Sequence, residues 1–286
     1  MTKALLTSAA LFILFVSQAS AEEKAFPAKL VNQAILPANT IIAAPADAPA
    51  YLKTSGKFST ADRKRADALG SVPGKDGVRL TGLAMSKDGT KLYGMLEGPL
   101  YLEDGSVEKA DGLTALRIIE LDAASKAWTG KTWLYPLSEG GEAIGDFNMI
   151  DATTALVIER DNGAGVVEKA CADPKAPAAD CFAVPAKHKR IYKIEMTDEM
   201  AGKAVRKIGY IDLMKIEDPD NKKRQGGGEG FYDMPFVTIE NVDVVDPTHI
   251  IVGNDNNLPF SAGRALDKAD DSEFVLLEVG EFLAAK

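Results

Sequence analysis

The stretch LAMSKDGTKLYGMLEGPL, residues 83–100, has a form that recurs twice further along the chain. It consists of an apolar run, a polar turn with an aspartate, a second apolar run and then charged or amide side chains. FNMIDATTALVIERDNG (147–163) and VDVVDPTHIIVGNDNNLPF (242–260) follow the same plan. Short runs rich in β-branched and aromatic residues on either side of a polar turn are typical of β-hairpins. The sequence therefore predicts three hairpins of one kind.

The three hairpins share a register. Nine residues after the aspartate of each turn, the chain reaches a polar residue that follows the second strand. The turn aspartates are Asp88, Asp151 and Asp246, and the residues nine positions later are Glu97, Arg160 and Asp255. We therefore expect these polar strand ends to occupy equivalent positions in the fold.

A second hairpin follows the first two, in the segments 115–137 and 189–213, whereas EFVLLEVGEF (273–282) supplies a single strand after the third. Four-stranded repeating units predict an all-β fold of β-propeller type, in which the first hairpin of each unit lines a central channel. Residues 81–286 hold about two and a half units, and propellers usually need at least four. We therefore expect an incomplete ring, with a strand from the arm at 22–80 completing the last unit.

The N-terminus has the form of a secretory signal peptide. Lys3 precedes the apolar run 5–16, and Ala19-Ser20-Ala21 is a small-x-small cleavage site. We expect residues 1–21 to be removed and the protein to be periplasmic or secreted; the alternative is an uncleaved anchor. An extended arm (22–80) and a propeller-like domain (81–286) would follow, with no attachment to the membrane after cleavage.

The composition restricts the partners. The formal net charge is −9, which argues against nucleic acid and anionic membranes and permits cation binding. Cys171 and Cys181 are the two cysteines of the chain, in CADPKAPAADC. In an oxidising compartment this spacing favours a disulfide that closes a small loop. A catalytic thiol is the less favoured alternative.

Several long segments resemble one family. GLAMSKDGTKLYGMLEGPL, IGDFNMIDATTALVIERDNG, CFAVPAKHKRIYKIEM, FVTIENVDVVDPTHIIVGNDNNLPFSAGR and DDSEFVLLEV are similar to the phytase-like, or "esterase-like activity of phytase", family of secreted bacterial proteins. The arm segment LPANTIIAAPADAPAYLKTSGKFSTADR also resembles the start of such proteins. Members usually have a further acidic segment before the first hairpin, whereas here GKDGVRLTGL (74–83) runs directly into it. The resemblance therefore implies an internally shortened member.

The polar strand ends are candidate site residues because strand ends of a propeller converge on one mouth of the channel. Carboxylate and amide oxygens suit a hard cation, calcium first and magnesium second. The candidate metal ligands are Glu97, Glu159, Glu240, Asn254, Asp255 and Asn256. The resemblance implies calcium ions that engage substrate phosphate and activate water, with Arg160 and Arg264 as phosphate-binding cations.

Each candidate has a simpler reading. Glu159 and Arg160 would form an ordinary ion pair, Glu97 would be a turn residue before Gly98, and the run 254–257 would be a series of Asx turns. Glu240 lies in an apolar strand, where an isolated carboxylate needs a partner or a metal. The histidines point to no transition metal: we expect His188 to be solvated and His249 to lie at the surface.

Other catalytic motifs are absent from the sequence. PFSAG (259–263) lacks the first glycine of a serine nucleophile elbow, and GGGEG (226–230) is not followed by the lysine of a P-loop. The run NDNN (254–257) lacks the spacing of an EF-hand.

Two main hypotheses follow. The first is a calcium-dependent phosphoester hydrolase of phytase-like type that acts on a small phosphorylated substrate. The alternative is a non-catalytic, calcium-stabilised binding or scaffold module, and a third possibility is a product that folds only in part. The sequence leaves open the substrate, the number of ions and the oligomeric state.

Overall fold

The computed structural model describes residues 23–38, 80–258 and 260–286. The predicted signal peptide and most of the predicted arm lie outside these residues. The described part confirms the all-β prediction, since it contains sixteen strands and, besides two 3-10 turns, one short helix, α1 (Gly280–Ala284). No helix of the described part is long and apolar enough to cross a membrane.

Sheet 1 is built from the first of the three related hairpins and the hairpin predicted at 115–137. Its strands are β3 (Leu80–Met85), β4 (Lys91–Leu96), β6 (Leu113–Asp122) and β7 (Ala127–Pro136), with the short β5 (Lys109–Ala110) beside β6. Neighbouring strands are antiparallel. The four-stranded unit predicted from the sequence is therefore present.

Sheet 2 repeats this arrangement. Its strands are β8 (Ala143–Met149), β9 (Thr154–Arg160), β10 (Lys189–Glu195) and β11 (Arg206–Asp212). The arm adds β1 (Ala25–Phe26), which pairs in parallel with β11 at the edge. Between β9 and β10 lies a long insertion, in which a disulfide joins Cys171 to Cys181.

Sheet 3 obtains its fourth strand from the arm. It contains β14 (Ile239–Asp246), β15 (His249–Asn254) and β16 (Ser272–Glu278), and β16 pairs antiparallel with β2 (Lys29–Leu36). Because α1 follows β16, the chain does not return as a neighbouring strand, and β2 takes that position. β12 (Ile216–Glu217) and β13 (Phe231–Tyr232) extend the sheet beyond β2, so β2 is an internal strand.

The sheets pack face to face in the order 1, 2, 3. One apolar core lies between sheets 1 and 2 and a second between sheets 2 and 3. In β9, Ala155 and Val157 belong to the first core, whereas Leu156 and Ile158 belong to the second. Side chains alternate between the two faces of a strand, so a strand with both faces covered is apolar at successive positions.

The inner strands approach one another closely. β8 packs against β3 on one side and against β14 on the other. A Cβ atom at Gly145 would lie 1.9 Å from the carbonyl oxygen of Ile239, so a side chain at this position would hold β14 away from β8. The described sheets do not close into a barrel or a ring.

Candidate functional site at the ends of the inner strands

The three turn aspartates have the same local structure. A carboxylate oxygen of each accepts a hydrogen bond from the backbone N–H two residues later, over 2.8–3.0 Å. In every case the donor residue is a threonine: Thr90, Thr153 and Thr248. These Asx turns precede β4, β9 and β15, and the similar strand lengths of 6, 7 and 6 residues then bring the polar ends to the same side of the molecule.

Four of the polar residues are grouped there. Arg160 Nη2 lies 3.7 Å from Glu97 Oε1. Half-buried Glu240 has a raised pKa, mainly because of burial; the negative charges of Asp255 and Glu97 add to the increase, and Arg160 opposes it. The ends of β4, β9 and β15 and the start of β14 are thus within electrostatic reach of one another. The register deduced from the sequence is the reason for this convergence.

A cavity of about 490 Å³ opens beside Glu97 and Arg160. Its lining includes Glu142 and Asn162, which the sequence did not single out, together with the segment 96–101. The Asn162 backbone N–H donates to Glu142 Oε2 over 2.7 Å. No motif marks Glu142, because it becomes part of the site through the pairing of β8 with β9.

Arg160 is the central cation of this site. Only 6% of its surface is exposed. Nη1 donates to Asn162 Oδ1 over 2.6 Å, whereas Nε has no hydrogen-bond partner among the described residues. A buried guanidinium with unused donor capacity at a cavity is suited to binding an anion, since an unpaired buried donor is costly.

Glu159 faces away from this group, because neighbouring residues of a strand point to opposite faces. Its carboxylate accepts hydrogen bonds from Tyr135 Oη (2.6 Å), Ser138 N (3.0 Å) and Lys207 Nζ (2.8 Å). Burial alone raises its pKa, but the contact with His188 and the Lys207 charge lower it to about 2. The predicted metal ligand Glu159 is therefore engaged by protein donors, and it does not pair with Arg160.

The sequence suggested that His188 is solvated, but the side chain is buried. Its Nε2 lies 2.9 Å from Glu159 Oε1, outside good hydrogen-bonding geometry, and its ring stacks on Tyr192. The neighbouring lysines and arginine in the sequence suggested an exposed position. Tertiary packing against sheet 2 overrides that local signal. His249 begins β15 and contacts Asp246, as expected for a residue at a hairpin turn.

The run after β15 forms mostly local structure. Asn254 is buried, accepts from the Glu273 N–H over 2.6 Å and donates to the Asp271 carbonyl over 3.1 Å. Asp255 accepts from Asn257 N, and Asn256 accepts from Leu258 N, so both form Asx turns. Asp255 lies near enough to Glu240 for its negative charge to raise the pKa of that carboxyl.

Arg264 lies in a different cluster, in sheet 3. It binds both oxygens of Glu273 over 2.8 Å and Asp233 Oδ1 over 2.6 Å. Its guanidinium also lies over the rings of Tyr232 and Phe236. Arg264 is therefore separate from Arg160 and held by acidic partners.

The donor chemistry of the site suits a hard cation only in part. Glu97, Glu240 and Asp255 offer oxygen atoms alone, and their charge exceeds that of Arg160. However, no group of three or more acidic, histidine or cysteine side chains close enough to hold a metal occurs in the described residues. At most two of these three carboxylates could therefore contact one ion, whose coordination would be completed by water or by a ligand.

Comparison with known proteins supports the resemblance seen in the sequence. No curated protein matches the chain. The model of the family described as "Phytase-like: Esterase-like activity of phytase" matches residues 76–258, which is more than half of the chain. The match includes the two hairpins of sheet 1, the two hairpins of sheet 2, the hairpin β14–β15 of sheet 3 and the polar strand ends. The chain belongs to the phytase-like family.

Proposed function

We propose that this protein is a phosphoester hydrolase of phytase-like type, and that its substrate phosphate binds in the cavity beside Arg160. Family membership supports a hydrolase of this class. The observation that carries the proposal is the buried Arg160 guanidinium, which lines the cavity and has an Nε–H without a partner among the described residues. Phosphate oxygens accept from a planar guanidinium through two parallel hydrogen bonds.

We further propose that the three sheets are consecutive blades of an incomplete propeller. The support is that each contains a run of four antiparallel strands, and that the first strands β3, β8 and β14 lie side by side. In such an arrangement the polar strand ends surround the channel mouth. The substrate would enter from that side.

Calcium is proposed as the ion of the site, with magnesium as the alternative. One or two of the carboxylates Glu97, Glu240 and Asp255 would contact it, and substrate phosphate and water would complete its coordination. When bound, such an ion neutralises phosphate charge and lowers the pKa of a bound water. The protein itself contributes Arg160, which orients the phosphate.

The predicted secretion remains a proposal as well. The disulfide between Cys171 and Cys181 supports it, since disulfides are rare in reducing compartments.

The test uses Arg160 variants with p-nitrophenyl phosphate and phytate as substrates, in calcium and in excess chelator. We expect release of phosphate by the wild type in calcium. Arg160→Lys keeps the positive charge but loses the paired N–H donors of the guanidinium, so KM should rise about tenfold. Arg160→Gln loses the charge as well and should lower kcat/KM about a hundredfold. Arg206→Gln, which alters an exposed ion pair with Glu195, is the matched control and should behave as wild type.

The second candidate is a non-catalytic, calcium-stabilised binding or scaffold module. It is favoured by the commitment of Glu159, Asn254 and Arg264 to structural contacts, which removes them from any catalytic group. The effect of calcium on Tm and on phosphate release distinguishes the two candidates. If calcium raises Tm but neither substrate releases phosphate, the hydrolase proposal is wrong and the module remains; if calcium changes neither quantity, both ion proposals fail.

A further inference from the structure

Sheet 1 has an exposed apolar face. The strand register aligns Met85, Leu92, Leu121 and Trp128 in one row across β3, β4, β6 and β7. Leu83, in the adjacent row, is 60% exposed, Met85 is 55% exposed and Trp128 is 56% exposed. We call this the outer face of sheet 1. Large apolar side chains aligned across four strands form a contiguous patch, which monomeric proteins rarely expose.

Sheet 3 has a corresponding free face at the other end of the stack. The register aligns Ile251 with Leu276, and Phe274 lies in the next row of the same face. Ile251 is 39% exposed, and the other two are partly exposed. This is the outer face of sheet 3. The opposite face of the sheet, with Val252 and Val275, is buried against sheet 2.

The two outer faces belong to the first and the last sheet of the stack, and neither is covered by another described sheet. Sheet 1 packs on sheet 2 and sheet 2 on sheet 3, always face to face with the first strands adjacent. Repeating the same step would place the outer face of sheet 3 against the outer face of a further sheet 1. Such a head-to-tail contact closes into a ring when the rotation permits.

Residues 39–79 of this chain lie outside the described part and are one possible occupant. They are fewer than residues 80–136, which build sheet 1 alone. The segment contains eight large apolar residues, which are Ile41, Ile42, Tyr51, Leu52, Phe58, Leu69, Val72 and Val78. It is too short to build a further four-stranded sheet of the size of sheet 1, and the two faces lie at opposite ends of the stack. A second copy of the chain offers both faces at once.

We propose that two copies of this chain associate head to tail, with the outer face of sheet 1 of each copy packed against the outer face of sheet 3 of the other. The assembly would have twofold symmetry and six sheets, each with a four-stranded antiparallel unit, within the usual range of four to eight blades for a propeller. The polar strand ends of both copies would then surround one channel. This inference does not depend on hydrolase activity.

The first test is the molar mass of the full-length mature chain by size-exclusion chromatography with light scattering. We expect twice the mass of one chain. Met85→Lys places a charge in the proposed interface and should give the single-chain mass with an unchanged circular dichroism spectrum. Val184→Lys is the matched control, because Val184 is 65% exposed in the insertion of sheet 2 and should leave the mass doubled.

A mixing experiment tests the head-to-tail arrangement. Ile251→Glu on the outer face of sheet 3 should also give single chains. A mixture of the Met85→Lys and Ile251→Glu chains should recover the doubled mass, because one interface then joins lysine to glutamate and the other is wild type. Recovery would not occur if sheet 1 met sheet 1.

Four results would overturn the proposal. They are a single-chain wild type at tens of micromolar protein, a doubled mass that Met85→Lys leaves unchanged, no recovery on mixing, and a wild-type mass above two chains. The first would favour residues 39–79 as the occupant of the outer face of sheet 1. The last would mean that the contact forms open chains.

Discussion

At the scale of single residues, the neighbours Glu159 and Arg160 make contacts on opposite faces of β9. Glu159 is fully buried and bound by Tyr135, Ser138 and Lys207, so it forms part of the structure of sheet 2. Arg160 lines the cavity, and its buried Nε has no hydrogen-bond partner among the described residues. The alternation of side chains along β9 separates them.

Replacement of Glu159 tests its structural role. Glu159→Gln removes the buried negative charge beside Lys207 and leaves that ammonium with the more distant Glu23, whose Oε1 lies 3.8 Å away. We expect a loss of about 3 kcal/mol in the free energy of unfolding, typical of a broken buried ion pair. Urea denaturation measures it, with exposed Glu139→Gln as the control. A change equal to that of the control would show that Lys207 does not need Glu159.

At the scale of structural elements, the Asx turns make the three inner hairpins alike. The Asp88 carboxylate accepts hydrogen bonds from the Ser86 hydroxyl and from the backbone and side chain of Thr90, which lower its pKa from 3.8 to about 2. Since the folded pKa is depressed, the folded state loses stability as the pH falls from about 4 to about 2.

The corresponding prediction concerns Asp88→Asn. At pH 7 the variant should have a lower Tm than the wild type, because the neutral amide is a weaker acceptor. The difference should shrink towards pH 2, where the wild-type carboxyl is also protonated. Thermal denaturation between pH 7 and pH 2 tests this, and Asp180→Asn in an exposed loop should show no such convergence. A constant difference across this range would contradict the assignment.

The strand β2 determines whether sheet 3 has four strands. Leu30 is buried in the core between sheets 2 and 3, and it pairs with Leu277 of β16. Leu30→Ala should lower the free energy of unfolding by about 2–4 kcal/mol through the lost contacts and the cavity left behind. Leu36→Ala, in the same strand but 40% exposed, is the control. Equal effects in urea denaturation would show that β2 is not part of the cooperative fold.

At the scale of the whole molecule, three packed sheets leave two outer faces open, and pairing of two copies would cover both. The outer face of sheet 1 is apolar, whereas that of sheet 3 is mixed, with Asp243 beside Ile251 and Asn32 beside Leu276. A folded state stabilised by association gains stability with protein concentration. We therefore expect the wild-type Tm to rise by several degrees between about 1 and 100 μM protein, whereas the Tm of Met85→Lys should stay constant. Differential scanning calorimetry at these concentrations measures it. A constant wild-type Tm would argue against pairing.

Much of the fold follows from local patterns. Strand and turn chemistry identify each inner hairpin from a dozen or so residues, and the equal spacing from Asp88, Asp151 and Asp246 places Glu97, Arg160 and Asp255 at one end. The hairpins, the four-stranded units and the family were therefore predictable. The direction of individual side chains was harder to predict, because it depends on which sheet covers each face of a strand.

The sequence by itself determined the all-β architecture, the repeat and the family, since these depend on short-range periodicity and on long matching segments. Only the tertiary structure decided which polar groups form the site. It brought Glu142 to Arg160 by strand pairing, engaged Glu159 with Lys207, and bound Arg264 to Glu273. Buried polar groups take the nearest partner that the packed sheets offer, and that partner is generally distant in the chain.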